Sequence, residues 1–236
     1  EVTGANGRAA ESVARLAEIT TGRGITHALG IPLGIEKTAS ILEIGFGGGG
    51  WLLEMHRLGF RNLAGFDVGD LSKRALPLLA RGIAIHGGTL TPNALPEAAF
   101  DLVRLEHVFE HIPNPHLALA VIAAALKPGG RLVMSFPCAE SLSLRLFGIN
   151  CTHLDAPRHV IHHTKQSIKI ALDKAKLTLL DLKLHGEIKN FLASAGHELS
   201  MPHLRKIGPI LSPAYFQLCK LMGWGEFMSV SAQKPF

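Results

Sequence analysis

A short apolar run, ASILEI at residues 39–44, strikes six residues of which five are glycine, Gly45-Phe46-Gly47-Gly48-Gly49-Gly50, and a helical period, WLLEMHRLG, then carries the chain to Gly59. Few features restrict a fold as tightly as a buried strand that enters such a turn and leaves it as a helix. The spacing satisfies G-x-G-x-x-G in the context that gives it meaning: glycines let backbone approach a ligand closely, and a helix N-terminus aims its N–H groups at that ligand. NLAGFD reads as a second strand ending at Asp67, 22 residues after Gly45, where a carboxylate can accept hydrogen bonds from both hydroxyls of a ribose. A strand–helix–strand unit of this length implies a parallel pair with a right-handed crossover. Together these features point to an adenosine-type ligand, against the plain alternative of a tight turn that binds nothing.

The alternation continues. LSKRALPLLARG predicts a helix that Pro77 kinks or shortens, GIAIHGG a third strand, FDLVRLEHV a fourth, PHLALAVIAAALKPGG a helix closed by Pro128 and two glycines, and RLVMSFP a fifth strand. TKQSIKIALDKAKL resumes a helix with Thr164 as N-cap, LTLLDLKLH predicts a sixth strand and EFMSVSAQKP a last one. The expected fold is α/β: a doubly wound, mostly parallel seven-stranded sheet with helices on both faces. Residues 8–21 carry a helical period, so residues 1–37 read as an N-terminal helical extension and 38–236 as the main domain. Within it, residues 138–164 form a long connection rich in His and Arg, read as a lid, and residues 187–222 read as two helices inserted before the final strand.

Composition narrows the function classes. A chain of 236 residues with 47% hydrophobic residues has a core, and its formal charge of +5 comes without a block of like charge. No basic stripe interleaved with aromatics appears, with 6% of residues aromatic, so no nucleic-acid partner is expected. The longest apolar run, Leu117 to Leu126, is ten residues, too short for a membrane span. Cys138, Cys151 and Cys219 are odd in number and lack a C-x-x-C spacing, which fits a reducing cytoplasm and argues against a disulfide framework or a zinc knuckle. No leader is legible, and a chain that begins at Glu1 is expected to have been trimmed.

Glu43 refines the ligand. A negative charge two residues before Gly45 opposes a pyrophosphate and suits a cationic amino group, which favours S-adenosylmethionine over a nicotinamide dinucleotide. A carboxylate in an apolar strand can equally cap the following helix or pair with a basic neighbour, because a buried acid needs a partner.

Several segments in order resemble the class I S-adenosylmethionine-dependent methyltransferases, of the small-molecule, methyltransferase-23-like or methyltransferase-11-like type, over residues 38–185 and more weakly through the last strand. ILEIGFGGG is similar to the family's first motif, GFD to its second, GGTL to the loop after the third strand, FDLVRLEHVFEHIPNP to the fourth-strand motif, LKPGGRLVMSFP to the fifth-strand region, and LDAPRHVIHHT to the stretch that covers the substrate. The resemblance implies S-adenosylmethionine as cofactor and a last strand, EFMSVSAQKP, that enters antiparallel beside the sixth. Gly45, Phe46, Gly47 and Gly49 would wrap its methionine and ribose part, Glu43 would hold the amino end and Asp67 the ribose diol. Val68 would pack on adenine, and Thr89 and Leu90 would flank the adenine edge, where many members place an acid instead. Glu106 and His107 would line the passage from methyl group to acceptor.

His107 and His111 are four apart and would share one face on a helical turn; i,i+4 histidines can chelate a metal, but spacing fixes no third ligand. Their other reading is a turn facing the cofactor pocket with His111 bonded to backbone. Cys151, His153, Asp155, Arg158, His159, His162 and His163 crowd thirteen positions without matching a metal template. No metal is therefore assigned, and the lid is read with Asp155 and Arg158 as an ion pair and His159 or Arg158 directed at the acceptor. His159, then His111 and His107, are the candidate bases. The expected function is methyl transfer to a hydroxylated metabolite or sugar-like acceptor. A non-catalytic, methyltransferase-like binding or regulatory subunit is the alternative, and an NAD-dependent oxidoreductase is disfavoured by Glu43.

Overall fold

The computed structural model describes residue 31 and residues 35–199 and 208–236. The helix expected over residues 8–21 lies outside them. Packing divides the chain into residues 1–37 and residues 38–236, and the second unit is described here.

Its sheet has seven strands: β1 (Ile41–Ile44), β2 (Leu63–Asp67), β3 (Ala84–Gly87), β4 (Phe100–Glu106), β5 (Leu126–Pro137), β6 (Thr178–His185) and β7 (Phe227–Gln233), in the order β3-β2-β1-β4-β5-β7-β6. Strands β1 to β5 run parallel, whereas β7 lies antiparallel between β5 and β6. The helices are α1 (Gly50–Arg57), α2 (Leu76–Leu79), α3 (Pro115–Ala125), α4 (Leu142–Phe147), α5 (Lys165–Lys174), α6 (Ile188–Glu198) and α7 (Gly208–Met222). Strand order reverses between β1 and β4, and in a doubly wound sheet the crevice beyond the carboxyl ends of those strands is where ligands bind.

The central strands are buried along almost their whole length, as parallel strands covered on both faces must be. Leu42, Ile44, Phe66, Val103, Leu105, Met134 and Phe136 join Leu119 and Ile122 of α3 and Ile168 and Leu172 of α5 in one core. Leu142, Ile188, Leu192, Tyr215 and Cys219 form a smaller cluster that ties α4, α6 and α7 together. No helix among the described residues is long and apolar enough to cross a membrane.

Local differences from the sequence reading have identifiable causes. Pro77 sits in the first turn of α2, which spans four residues, so proline starts this helix instead of kinking a longer one. Helix α3 stops at Ala125, because Leu126 already pairs with Phe100 and β5 begins five residues before Arg131, with a register break after that first pair. Strand β4 ends at Glu106, since His107 takes a left-handed backbone with φ of 53°. The connection 138–164 holds helix α4 and a 3-10 turn at Gly148–Asn150, with Ser141 capping α4 through the Leu144 N–H.

Candidate active site

The glycine turn is fixed by the Gly45 N–H, which donates to the Phe66 carbonyl at 2.7 Å, and Gly45, Gly47 and Gly49 all have left-handed φ, of 74°, 53° and 75°. Their surroundings differ. A Cβ on Gly45 would lie 2.2 Å from a Val108 methyl and one on Gly49 2.7 Å from Leu78, whereas at Gly47 or Gly48 it would meet nothing within 4 Å. Gly45 and Gly49 thus serve close packing, whereas Gly47, Gly48 and Gly50 have open space where a Cβ would stand. Phe46 is buried, its ring seated where Gly65 of β2 has no side chain, so it supports the turn from below.

Asp67 stands at the tip of β2 as expected and is held by the protein itself. Its Oδ2 accepts the Gly47 N–H at 2.9 Å and Arg74 Nη1 at 2.9 Å, and its Oδ1 accepts the Val68 N–H at 2.7 Å. Arg74 also donates to the Val68 carbonyl at 2.8 Å and lies over the Phe46 ring. An ionised carboxylate offers about four lone-pair directions, so a diol reaching Asp67 must share them with Arg74. Sequence reasoning missed Arg74. The loop after β3 is tied to the same place by the Gly88 N–H on the Asp67 carbonyl at 3.1 Å. On that loop Thr89 is exposed and Leu90 is half-buried against the core, while the Val68 side chain faces solvent.

Glu43 has the basic neighbour that was its alternative reading. It pairs in register with Arg104 of β4, whose Nη1 lies 2.5 Å from Glu43 Oε1 and whose Nη2 donates to Glu106 Oε2 at 3.1 Å. The guanidinium rests 4.6 Å from the Trp51 ring centre. Burial pushes the Glu43 carboxyl up to about 7 against the pull of Arg104, and its Oε2 is buried with no hydrogen-bond partner among the described residues. A lone arginine in the apolar strand DLVRLE was the signal available for this pair.

Beyond the end of β4, the structure separates His107 from His111. The 3-10 turn covers only Phe109–His111, so the two histidines do not share a helical face. His107 packs edge-on against Phe227, with its Nδ1 3.5 Å from Glu110 Oε1, and Glu110 raises its pKa. His111 instead meets the lid: its Nδ1 lies 2.7 Å from the Arg158 carbonyl, and its ring lies edge-on to His159 at 4.8 Å. His159 is held by its Nδ1 on the His153 carbonyl at 2.7 Å. The connection 138–164, expected to be a lid, is docked here by the Val160 and Ile161 N–H groups, both donating to the Glu110 carbonyl. Arg158 forms the expected pair with Asp155 at 2.5 Å, but its side chain is 74% exposed and it reaches this cluster only through its backbone.

A second buried group went unseen in the sequence. Glu226, fully buried just before β7, accepts the Tyr215 hydroxyl and the Ser143 N–H and lies 2.8 Å from His153 Nε2, while the His153 ring packs on Phe227. Those contacts fix the lid segment that orients His159.

A family model described as "Methyltransferase domain" matches residues 6–182. Among curated proteins, the chain is 36% identical over 94 residues to a ubiquinone biosynthesis O-methyltransferase of Paramagnetospirillum magneticum, covering 39% of this chain and 37% of that protein. The chain spans about two fifths of the length of the curated relatives it matches. Among solved structures, a putative methyltransferase from Bacillus halodurans aligns with a TM-score of 0.61 and 16% identity over 86% of this chain and 95% of that one. A geranyl diphosphate C-methyltransferase from Streptomyces coelicolor, solved with Mg2+, geranyl diphosphate and S-adenosyl-L-homocysteine, aligns with a TM-score of 0.60 and 13% identity over 97% and 80%.

Proposed function

The chain belongs to the methyltransferase domain family, and from that premise we propose that it transfers a methyl group from S-adenosylmethionine to a hydroxyl oxygen of a small-molecule acceptor, a hydroxylated metabolite or sugar-like compound. The observation that carries the reading is the open space beside Gly47 and Gly48, with the Asp67 carboxylate at the tip of β2 bonded to the Gly47 N–H; the buried Glu43, whose Oε2 has no hydrogen-bond partner among the described residues, supports it from the adjoining strand. Those groups suit the cofactor. Asp67 would accept from the ribose diol with Arg74 as its neighbour, and Glu43 would accept from the ammonium while Arg104 keeps it oriented. Val68, Thr89 and Leu90 would lie along the adenine.

When bound, S-adenosylmethionine supplies an electrophilic methyl group on a sulfonium that carries its own leaving group. The chain's work is alignment and exclusion of water, which can be worth an effective molarity of about 10⁵–10⁸ M, against about 10²–10⁴-fold for a single proton acceptor. Glu106 and His107 at the end of β4, with His111 and His159 beside them, would border the acceptor, and the hydroxyl proton would leave into this cluster of histidines and carboxylates. The lid segment 138–164, docked on Glu110, would keep water from the reacting pair. An oxygen acceptor is supported by the name of the Paramagnetospirillum relative.

The test is transfer of labelled methyl from S-adenosylmethionine to a panel of phenols, catechols and sugar alcohols, with analogous amines and thiols alongside. Label on oxygen in at least one hydroxylated compound is expected. Label confined to nitrogen, sulfur or carbon would overturn the oxygen assignment, and cofactor binding with no transfer to any panel member would favour a non-catalytic binding subunit.

A further inference from the structure

We propose that Glu110, His111 and His159 form a binding site for one divalent cation of the zinc type, built from the turn after β4 and the lid. Each side chain offers one ligand atom, and these atoms lie within 4.8 Å of one another. Ligands about 2.1 Å from a tetrahedral zinc stand roughly 3.4 Å apart, so small side-chain rotations bring them into range.

Two independent observations favour a cation over an accidental cluster. Glu110 is 1% exposed, and neither of its carboxylate oxygens has a hydrogen-bond partner among the described residues. The nearest basic groups, His107 Nδ1 at 3.5 Å and His159 Nε2 at 3.8 Å, stand at ion-pair range of Oε1 without forming a hydrogen bond to it. A buried carboxylate left in that condition is costly unless a cation meets it.

The second observation is the state of the two rings. His111 Nδ1 faces the Arg158 carbonyl and His159 Nδ1 faces the His153 carbonyl, both at 2.7 Å. A carbonyl can only accept, so each Nδ1 donates its N–H, which leaves Nε2 as the nitrogen a metal would take. Metal-binding histidines are oriented by this same backbone bond at the other nitrogen. Two imidazoles so prepared beside an unpartnered carboxylate make a set of two nitrogens and one oxygen suited to zinc. His159 lies 48 residues beyond His111 in sequence, which is why neither the His107–His111 spacing nor the lid histidines alone disclosed the set.

Three protein ligands leave a coordination position open. On the methyl-transfer reading above, an acceptor oxygen would take it and lose its proton more readily as a metal ligand. That consequence depends on the reading, whereas cation binding does not.

The test titrates the metal-stripped, untagged chain with Zn2+ by calorimetry and with Co2+ by its visible absorption. One saturable equivalent with the intense d–d bands of four- or five-coordinate Co2+ is expected. Glu110→Gln, His111→Gln and His159→Gln should each weaken binding by at least the roughly 10–100-fold that loss of an outer-sphere partner costs, and His86→Gln should not. Retained S-adenosylhomocysteine affinity shows that a variant is folded. Should the variants not fold, imidazole ¹⁵N spectra of the wild-type chain answer the same question, because Zn2+ should shift Nε2 of His111 and His159 alone. Absence of saturable binding, binding undiminished in all three variants, or shifts confined to other histidines would overturn the site. Zinc binding without S-adenosylhomocysteine binding would uphold the site and count against the cofactor reading instead.

Discussion

Gly45 and Gly47 share a left-handed backbone and differ in what lies beside them, which lets packing and ligand approach be separated. Gly45→Ala places a methyl group 2.2 Å from Val108 Cγ2 on a backbone that L residues resist; overpacking costs about 1–3 kcal/mol and the backbone strain about 1–3 more. Chemical denaturation should show that loss, and Val108→Ala in the same chain should return the steric part only. Gly47→Val carries the strain without the clash but pushes a branched side chain into open space, so it should lower stability by about 1–3 kcal/mol and abolish S-adenosylhomocysteine binding. Unchanged affinity in folded Gly47→Val would place the ligand elsewhere. A further expectation concerns His163, stacked on Phe109 at 4.8 Å and edge-on to Phe136. Burial pushes its pKa down to about 4, with His162 and His116 acting in the same direction and Glu110 opposing. The unfolded chain therefore binds this proton first, and the contribution of neutral His163 is whole above about pH 6.5 and falls away as pH drops toward 4. The drop is about 3 kcal/mol. His163→Phe should flatten that part of the stability profile, and an unchanged slope would show that His163 is not its source.

At the level of elements, α5 begins with a reciprocal cap: Thr164 Oγ1 accepts the Ser167 N–H at 3.0 Å and Ser167 Oγ accepts the Thr164 N–H at 2.9 Å. Thr164→Ala should cost about 1 kcal/mol, measured by thermal unfolding, and should speed hydrogen exchange in the end of the lid that enters this helix. A loss below a few tenths would mean the cap is idle. Thr164 was legible as a cap because a polar N-cap followed by a helical period is a local signal. So were β1, β2 and the glycine turn, where apolar runs meet residues that only a turn tolerates. What escaped was set by partners distant in sequence. Arg104 could be seen as a charge out of place, but its pairing with Glu43 needs the β1–β4 register. The antiparallel entry of β7 came from family resemblance and not from its own pattern. Glu226 looks like an ordinary strand-flanking acid until His153, Tyr215 and Ser143 close around it. His107 was read at the end of the fourth strand and, through its spacing to His111, on a shared helical turn, because a period of four cannot reveal a left-handed residue at a strand end.

For the whole molecule, the strand order puts β1, β2 and β4 side by side, so Glu43, Asp67 and Glu106 arrive at one edge of the sheet although 63 residues separate the first from the last. The connection 138–164, which leads into α5 and is fastened through Glu226, brings His159 beside His111; on the proposed reading it closes the acceptor side. In that proposal the adenosyl pocket is the feature on which all else depends. The direct measurement is calorimetric titration of the chain with S-adenosylmethionine, S-adenosylhomocysteine and NAD, beside the Asp67→Ala variant. Binding of both adenosyl ligands, none of NAD, and a loss of at least about tenfold in Asp67→Ala, equivalent to about 1.4 kcal/mol, are the predicted results. Tighter binding of NAD than of either adenosyl ligand, or full S-adenosylhomocysteine affinity in a folded Asp67→Ala chain, would contradict it.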